Sequence, residues 1–361
     1  MERTRLLAVG ACAIDTILTA PYYPEEDSKL RATSITKRRG GNCPNTLEVL
    51  NQLVAIDDSP LGPLYLLAVL PQEDSPACES ISDSFDLPNE ASRVSLRLCL
   101  HRPDHFEPVS SYIISSQATN TRTVVNHNDL SEMTFDEFKD CVAELLEVEG
   151  RIWFHFEGRI PETTLQCIRY LRTHAAFTGD RQQSLKISVE LEKPKREGLQ
   201  ALAYEADVVF YSKSWAQAEG HESAEDCLKS QTQILGVRGH NAERTLVCTW
   251  GEQGCCAAVL RSSKLTPVDQ RNVRSSTFTM SGQTDFETIA ESSPVFAVPG
   301  RRVADTVGAG DTFIAGMLFA LIARKDSSLR MKLDFANELA GRKVMQGGLR
   351  GLGEQMSIWV R

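Results

Sequence analysis

The stretch Asp305-Thr306-Val307-Gly308-Ala309-Gly310-Asp311-Thr312-Phe313 runs without a break into Ile314-Ala315-Gly316-Met317-Leu318-Phe319-Ala320-Leu321-Ile322-Ala323. The second half is apolar and rich in Ala and Leu, which predicts a buried helix. Before it come an apolar run, Val295 to Val298, and a turn at Pro299-Gly300. A loop of small residues therefore opens a helix. Gly308 and Gly310 carry no Cβ, so a ligand can approach the backbone closely. The free amides of the first turn then face that ligand, and the helix dipole favours an anion there. Asp311 stands at the mouth of this anion site. A carboxylate would repel a phosphate that was merely bound. Its position makes chemical sense for a base that takes the proton from a hydroxyl attacking that phosphate. The plainer alternative makes Asp311 a helix cap, with Thr312 inside the first turn. Two common phosphate motifs do not fit. The chain has no G-x-x-x-x-G-K-[ST] loop, and Gly308-x-Gly310 lacks the third glycine of a dinucleotide fingerprint.

A second glycine loop lies far upstream. Arg38-Arg39-Gly40-Gly41-Asn42-Cys43-Pro44-Asn45-Thr46 leads into Leu47-Glu48-Val49-Leu50-Asn51-Gln52-Leu53. Asn42 and Asn45 are three apart, so both amides can face one pocket beside Gly41. Their mixed donors and acceptors suit sugar hydroxyls. A simple N-cap of the following helix is the alternative.

The chain has 361 residues, enough for one large α/β domain with a small appendage. Hydrophobic residues at 42% and charged residues at 24% are ordinary for a globular protein. A net charge of −9 argues against nucleic acid as a partner, which would need a basic face. The ten cysteines form no C-x-x-C pair. Cys12, Cys99 and Cys248 sit in apolar runs and read as buried hydrophobes. A reducing, cytoplasmic setting is expected. No stretch is long enough to span a membrane. The apolar run near Met1 is short and soon meets Asp15, so it reads as a first core strand rather than a signal segment.

The rest of the chain alternates strand and helix. Arg5 to Ala13 predicts a buried strand, which would put Asp15 at its carboxyl end, where open α/β sheets bind ligands. Lys29 to Arg38, Val109 to Ser116 and Arg122 to His127 read as strands of a small projecting sheet. Leu64 to Leu70 and Val94 to Leu100 read as strands, and Pro71 to Asn89 between them as irregular. Phe135 to Glu147 has one apolar face and predicts a helix. Arg151 to Phe156, Leu185 to Leu191, Ala206 to Tyr211 and Thr245 to Trp250 read as strands, with a helix from Pro161 to His174. This alternation predicts a mostly parallel sheet with helices on both faces. Residues 263–298 are polar without steady periodicity and read as a flexible insertion. Leu333 to Met345 predicts a last helix stopped by Gly347-Gly348.

The two glycine loops together resemble the paired signatures of the ribokinase-like (PfkB) carbohydrate kinases. Further stretches are similar to the ketohexokinase (fructokinase) branch of that family. They are Tyr23 to Ser28, Phe154 to Arg159, Ser188 to Pro194, Asp207 to Lys213 and Leu246 to Gly254. The resemblance covers most of the chain and is weakest over residues 70–108 and 263–298. It implies a single ribokinase-like kinase domain over residues 1–361, with a β-sheet lid from about 16–39 and 107–128. It also implies an ATP- and Mg²⁺-dependent transfer of the γ-phosphate to a ketohexose hydroxyl, fructose to fructose 1-phosphate. Asp311 would be the base, and Gly308, Ala309 and Gly310 the anion hole. Asp15, Asp27, Gly41, Asn42 and Asn45 would hold the sugar, and Arg122 would be a lid arginine near the transferred phosphate. Thr249, Gly251, Glu252 and Gly254, with Gly308 and Gly310, would line the nucleotide site. Glu190 would help place magnesium through water, unless it and Glu192 simply pair with Lys193, Lys195 or Arg196. Two lids clasping would make a homodimer. Ribose, adenosine or 2-keto-3-deoxygluconate remain alternative acceptors, and a catalytically silent sugar-binding regulator is an alternative of a different class.

Overall fold

The computed structural model describes residues 3–57, 59–87, 92–119, 121–178, 184–236, 243–262, 286–296 and 303–360. Its strands in chain order are β1 (Thr4–Val9), β2 (Ala13–Ala20), β3 (Ser34–Gly40), β4 (Leu61–Leu67), β5 (Val69–Leu70), β6 (Val94–Ser95), β7 (Leu100–His101) and β8 (Val109–Ser116). They continue as β9 (Thr121–His127), β10 (Ile152–Glu157), β11 (Leu185–Leu191), β12 (Val208–Tyr211), β13 (Glu243–Thr249), β14 (Cys255–Ser262) and β15 (Phe286–Ser293). The longer helices are α1 (Asn42–Ile56), α2 (Pro76–Asp83), α3 (Phe135–Glu147), α4 (Pro161–Thr173), α5 (Leu199–Glu205), α6 (Lys213–Ala218), α7 (Ala224–Leu235), α8 (Ala309–Ala323) and α9 (Leu329–Val344).

Among the described residues, nine strands form one sheet in the order β15-β14-β13-β12-β11-β10-β1-β4-β6. Pairing is parallel from β13 across to β6 and antiparallel for β13-β14 and β14-β15. Every residue of β1 is buried, as expected of a parallel strand covered on both faces. One cover packs α1, α8 and α9. The other packs α3, α4, α5 and α7. The four strands β3-β2-β8-β9 form a separate small sheet, the lid. Its outermost strand β9 is exposed throughout.

The α/β architecture, parallel sheet and lid agree with the sequence reading, while several local expectations need correction. The first core strand stops at Val9, so Asp15 lies inside β2 of the lid, not at the end of the core strand. Val94 to Leu100 is not one strand. A turn closed by Cys99 N–H on Leu96 O (2.9 Å) splits it into β6 and β7. The segment after Leu70 holds a regular helix, α2, capped by Ser75 with a proline in its first turn. Lid strand β3 begins at Ser34 rather than Lys29. The polar stretch 263–298 shows no strand pattern in sequence, yet Phe286–Ser293 is a strand pairing with all of β14. It was missed because an edge strand needs little apolar sequence, and β14 supplies the apolar partner. Residues 263–285 and 297–298 lie outside the described residues.

Candidate active site

The carboxyl ends of β1, β10, β11, β12 and β13 open into a cleft that the lid roofs. A cavity of about 700 Å³ there is lined by Asp15, Gly41, Asn42, Asn45, Arg122, Glu157, Glu190, Glu192, Lys213, Thr249, Gly251, Gly308, Gly310 and Asp311, among others. A second cavity, about 940 Å³, adjoins it beneath the lid and shares Asn45, Arg122, Thr306 and Val307 with it.

At the far end of the chain, α8 starts on Gly308, whose φ of 83° lies in the left-handed region that favours glycine. No side chain caps this helix. A Cβ placed on Gly310 would meet no atom within 4 Å. The space beside Gly310 is therefore open, which would let the phosphates of a nucleotide approach the first turn, although the Ala309 amide already donates to the Thr306 carbonyl oxygen at 3.3 Å. Asp311 sits in the same turn, 7% exposed. Its Oδ2 accepts a 2.7 Å hydrogen bond from Asn45 Nδ2. Burial pushes its carboxyl up, the Asn45 bond opposes this, and the charges of Glu192 and Glu157 push it further, to about 7. A carboxyl titrating there is matched to general-base work near neutral pH.

At the near end, α1 starts after Gly41, with φ 103° and no side-chain cap. A Cβ at Gly41 would collide with the Ala11 carbonyl oxygen. Asn42 Nδ2 donates to Glu190 Oε2 (3.0 Å) and Glu192 Oε2 (3.2 Å). Asn45 Oδ1 accepts from Arg39 Nη1 (2.9 Å), and Arg39 also pairs with Glu48. Asp15 is buried opposite Arg38 and Ser111 in the lid sheet. Burial raises its carboxyl pKa, against a Ser111 hydrogen bond and the charges of Arg38, Arg39 and Arg122. Arg122 itself reaches across from β9 to donate to Thr306 Oγ1 at 2.7 Å.

Glu190 is buried and its carboxyl lies well above the usual range, first through burial, then through the charges of Asp311 and Glu192. Glu192 pairs with Lys193 Nζ at 3.2 Å, one of the pairings foreseen. Among the described residues no group of three or more His, Cys, Asp or Glu side chains could hold a metal ion directly. Crowded carboxylates in a buried site nonetheless fit a cation held through water.

Three expected residues stand apart. Asp27 is exposed, has φ 58° and lines neither cavity. Glu252 is exposed in the turn between β13 and β14 and lines neither cavity. Gly254 is there for the backbone, since a Cβ would run into the Ser293 carbonyl oxygen. Conversely, the sequence reading missed Glu157, whose Oε2 accepts from Ala11 N–H at 2.9 Å. The register of parallel strands could have found it, because Glu157 lies directly beside Glu190. It also left Arg38 and Arg39 without a role, although they adjoin the glycine pair.

The fold is ribokinase-like. The structure matches the ribokinase of Giardia lamblia with a TM-score of 0.67 at 13% identity, covering 100% of both chains. It matches the phosphofructokinase-2 of Escherichia coli, solved in complex with fructose-6-phosphate, with a TM-score of 0.63 at 16% identity over 100% of this chain and 99% of that one. Such distant likenesses speak for the fold alone. In sequence, the chain is 28% identical to the ketohexokinase of Mus musculus over 355 residues, 98% of this chain and 100% of the relative. Residues 285–354 match the model of the pfkB family carbohydrate kinases. Sequence and fold thus liken the chain to the PfkB carbohydrate kinases, phosphotransferases with an alcohol group as acceptor.

Proposed function

We propose that the protein is an ATP-dependent sugar kinase that phosphorylates a ketohexose, fructose in the first instance, at its 1-hydroxyl. The observation that carries the reading is Asp311: a buried carboxyl pushed to about 7 and set one residue past an open, uncapped glycine turn. Asp311 takes the proton of the attacking hydroxyl, and Asn45 holds the carboxylate in position. The amides of Gly308, Ala309, Gly310 and Asp311 face the charge on the transferring phosphoryl group. Arg122, held over the same loop by Thr306, adds positive charge from the lid. Asp15, Gly41, Asn42 and Asn45 line the sugar side, and Thr249 and Gly251 the nucleotide side. Magnesium bound with ATP supplies charge neutralisation at the phosphates, and Glu190 with Glu192 would hold it through water. Phosphoryl transfer asks mainly for positioning and electrostatic stabilisation, which this constellation offers.

The similarity to a ketohexokinase supports fructose as acceptor. The adjoining cavity favours a second reading. Its wall carries Lys37, Arg122 and Arg350 beside Asp83, with Arg38 paired to Asp305 and Arg39 to Glu48, a lining with an excess of cations suited to an acceptor that already carries a phosphate. ADP release from ATP and Mg²⁺ with fructose, fructose 6-phosphate, ribose, adenosine and 2-keto-3-deoxygluconate separates these acceptors. Fructose-dependent release is expected. No release with any acceptor, despite nucleotide binding, would sink the kinase reading and favour the silent regulator.

The homodimer belongs to the same proposal. Ile35, Tyr112 and Val125 share the outer face of the lid and are 63%, 50% and 58% exposed. An apolar face of this kind is suited to a second lid. Sedimentation of the parent against Tyr112→Asp tests it: a dimer that becomes a monomer is expected, and a monomeric parent would refute it.

A further inference from the structure

The last turn of α9 carries a lysine sealed from water. Lys343 is 0% exposed. Its Nζ donates to Asp305 Oδ2 (2.9 Å), to the Asp305 carbonyl oxygen (2.9 Å) and to the Gln346 carbonyl oxygen (3.4 Å). Burial pulls its pKa down, and the Asp305 hydrogen bond and charge oppose that. A desolvated ammonium is costly unless it is paired and hydrogen-bonded. All its partners lie on the loop before α8 or on the chain just after α9.

Asp305 is the junction. Burial pushes its carboxyl up, but Lys343, Arg38 and the Val307 amide together bring it down to about 2. Its Oδ1 accepts from Val307 N–H at 2.9 Å, which fixes the residue before Gly308. Its Oδ2 accepts from Arg38 Nη1 at 2.9 Å, which ties in lid strand β3. The amides of Ala304 and Asp305 both donate to the Val344 carbonyl, at 2.7 and 3.2 Å. The loop that opens the anion hole thus hangs from the end of α9, with the ammonium at the knot.

We propose that Lys343 is a positioning residue, a built-in cation that holds loop 305–308 so that the first amides of α8 stay aimed at the transferring phosphoryl group. Removing its ammonium leaves an oxygen-lined cage that accepts a small monovalent cation instead. The proposal rests on the kinase reading of the same site, so turnover of the parent is measured first. An inactive parent counts against that reading, whereas the outcomes below bear on Lys343.

Lys343→Met keeps the length of the side chain and removes the charge. Its kcat should fall about 10²-fold, the scale of a loop displaced by about an ångström, with the sugar KM near the parent's. Ammonium or potassium chloride should restore part of the loss, and tetramethylammonium chloride, too large for the cage, should not. Ammonium should also raise the Tm of Lys343→Met more than that of the parent, a readout independent of turnover. Lys343→Met/Asp305→Asn removes the carboxylate stranded in the single variant. It should fold, stay slow and lose the ammonium response. An unchanged kcat in either variant would overturn the proposal. So would a loss in Lys343→Met that no small cation relieves, or failure of both variants to fold in every salt.

Discussion

Two helices in this protein begin in the same way and end up with opposite tasks. Both α1 and α8 start after a glycine of positive φ, and neither has a side-chain cap. At α1 the glycine is demanded by packing, because a Cβ on Gly41 would strike the Ala11 carbonyl. Its first side chain, Asn42, is already bonded to Glu190 and Glu192. At α8 the space in front of Gly310 is open. The acidic end of the cleft, at α1, suits neutral hydroxyls, and the open amides of α8 suit an anion. Asp311 joins them, attached to α8 but held by Asn45 of α1. Identical local rules therefore give different chemistry, depending on what the rest of the fold leaves in front of the helix.

The largest effect should come from the residue that joins the two ends. Asp311→Asn should lower kcat by about 10²- to 10⁴-fold while nucleotide and sugar still bind, as steady-state kinetics and calorimetry would show. The same change should stabilise the protein. The folded-state pKa of Asp311 lies above the ordinary carboxylate value, so its contribution is present at low pH and lost as pH rises towards about 7. The Tm of Asp311→Asn should therefore gain on the parent's between about pH 4 and 7 and hold its lead above that. A lead that shrinks with pH would contradict the shift.

Gly310→Val fills the open space at α8. It should cost about 10²-fold in kcat/KM for ATP, the scale of one lost oxyanion donor, with little change in Tm. Gly41→Ala should do the reverse. Strain at a positive φ and the clash with Ala11 should cost roughly 1–3 kcal/mol of stability, read from denaturant unfolding. Equal stability losses in the two variants would erase the contrast between the helix ends. The smallest effect is expected for Glu192→Gln, which removes a negative charge that raises Asp311. The acid limb of the kcat/KM profile should move to lower pH by up to about one unit. A move to higher pH would reverse the assigned sign.

What could be read from the sequence follows the range of the interactions. Gly308 to Asp311 and Gly41 to Asn45 each hold their meaning within a few residues, so loop, helix and candidate base were legible in the chain. The β-α alternation likewise gave the parallel sheet. Asp27 rests on the resemblance alone, and in the single chain it stands exposed and lines neither cavity. Contacts between distant segments were invisible. Arg38 and Asp305 are 267 positions apart, and Glu157 reaches Ala11 across 146. Such pairs are brought together by sheet order and lid packing, which no local pattern encodes. Strand β15 was hidden for a different reason: the apolar half of its pairing lies in β14.

The division of labour between the two helix ends is tested most directly by backbone and side-chain amide NMR during two titrations, one with a non-hydrolysable ATP analogue and one with fructose. The analogue should move the amides of Gly308 to Asp311, and fructose should move the side-chain amides of Asn42 and Asn45. An analogue that left the α8 amides unmoved, or shifted only those of α1, would contradict the assignment of the phosphate to α8 and of the base to Asp311.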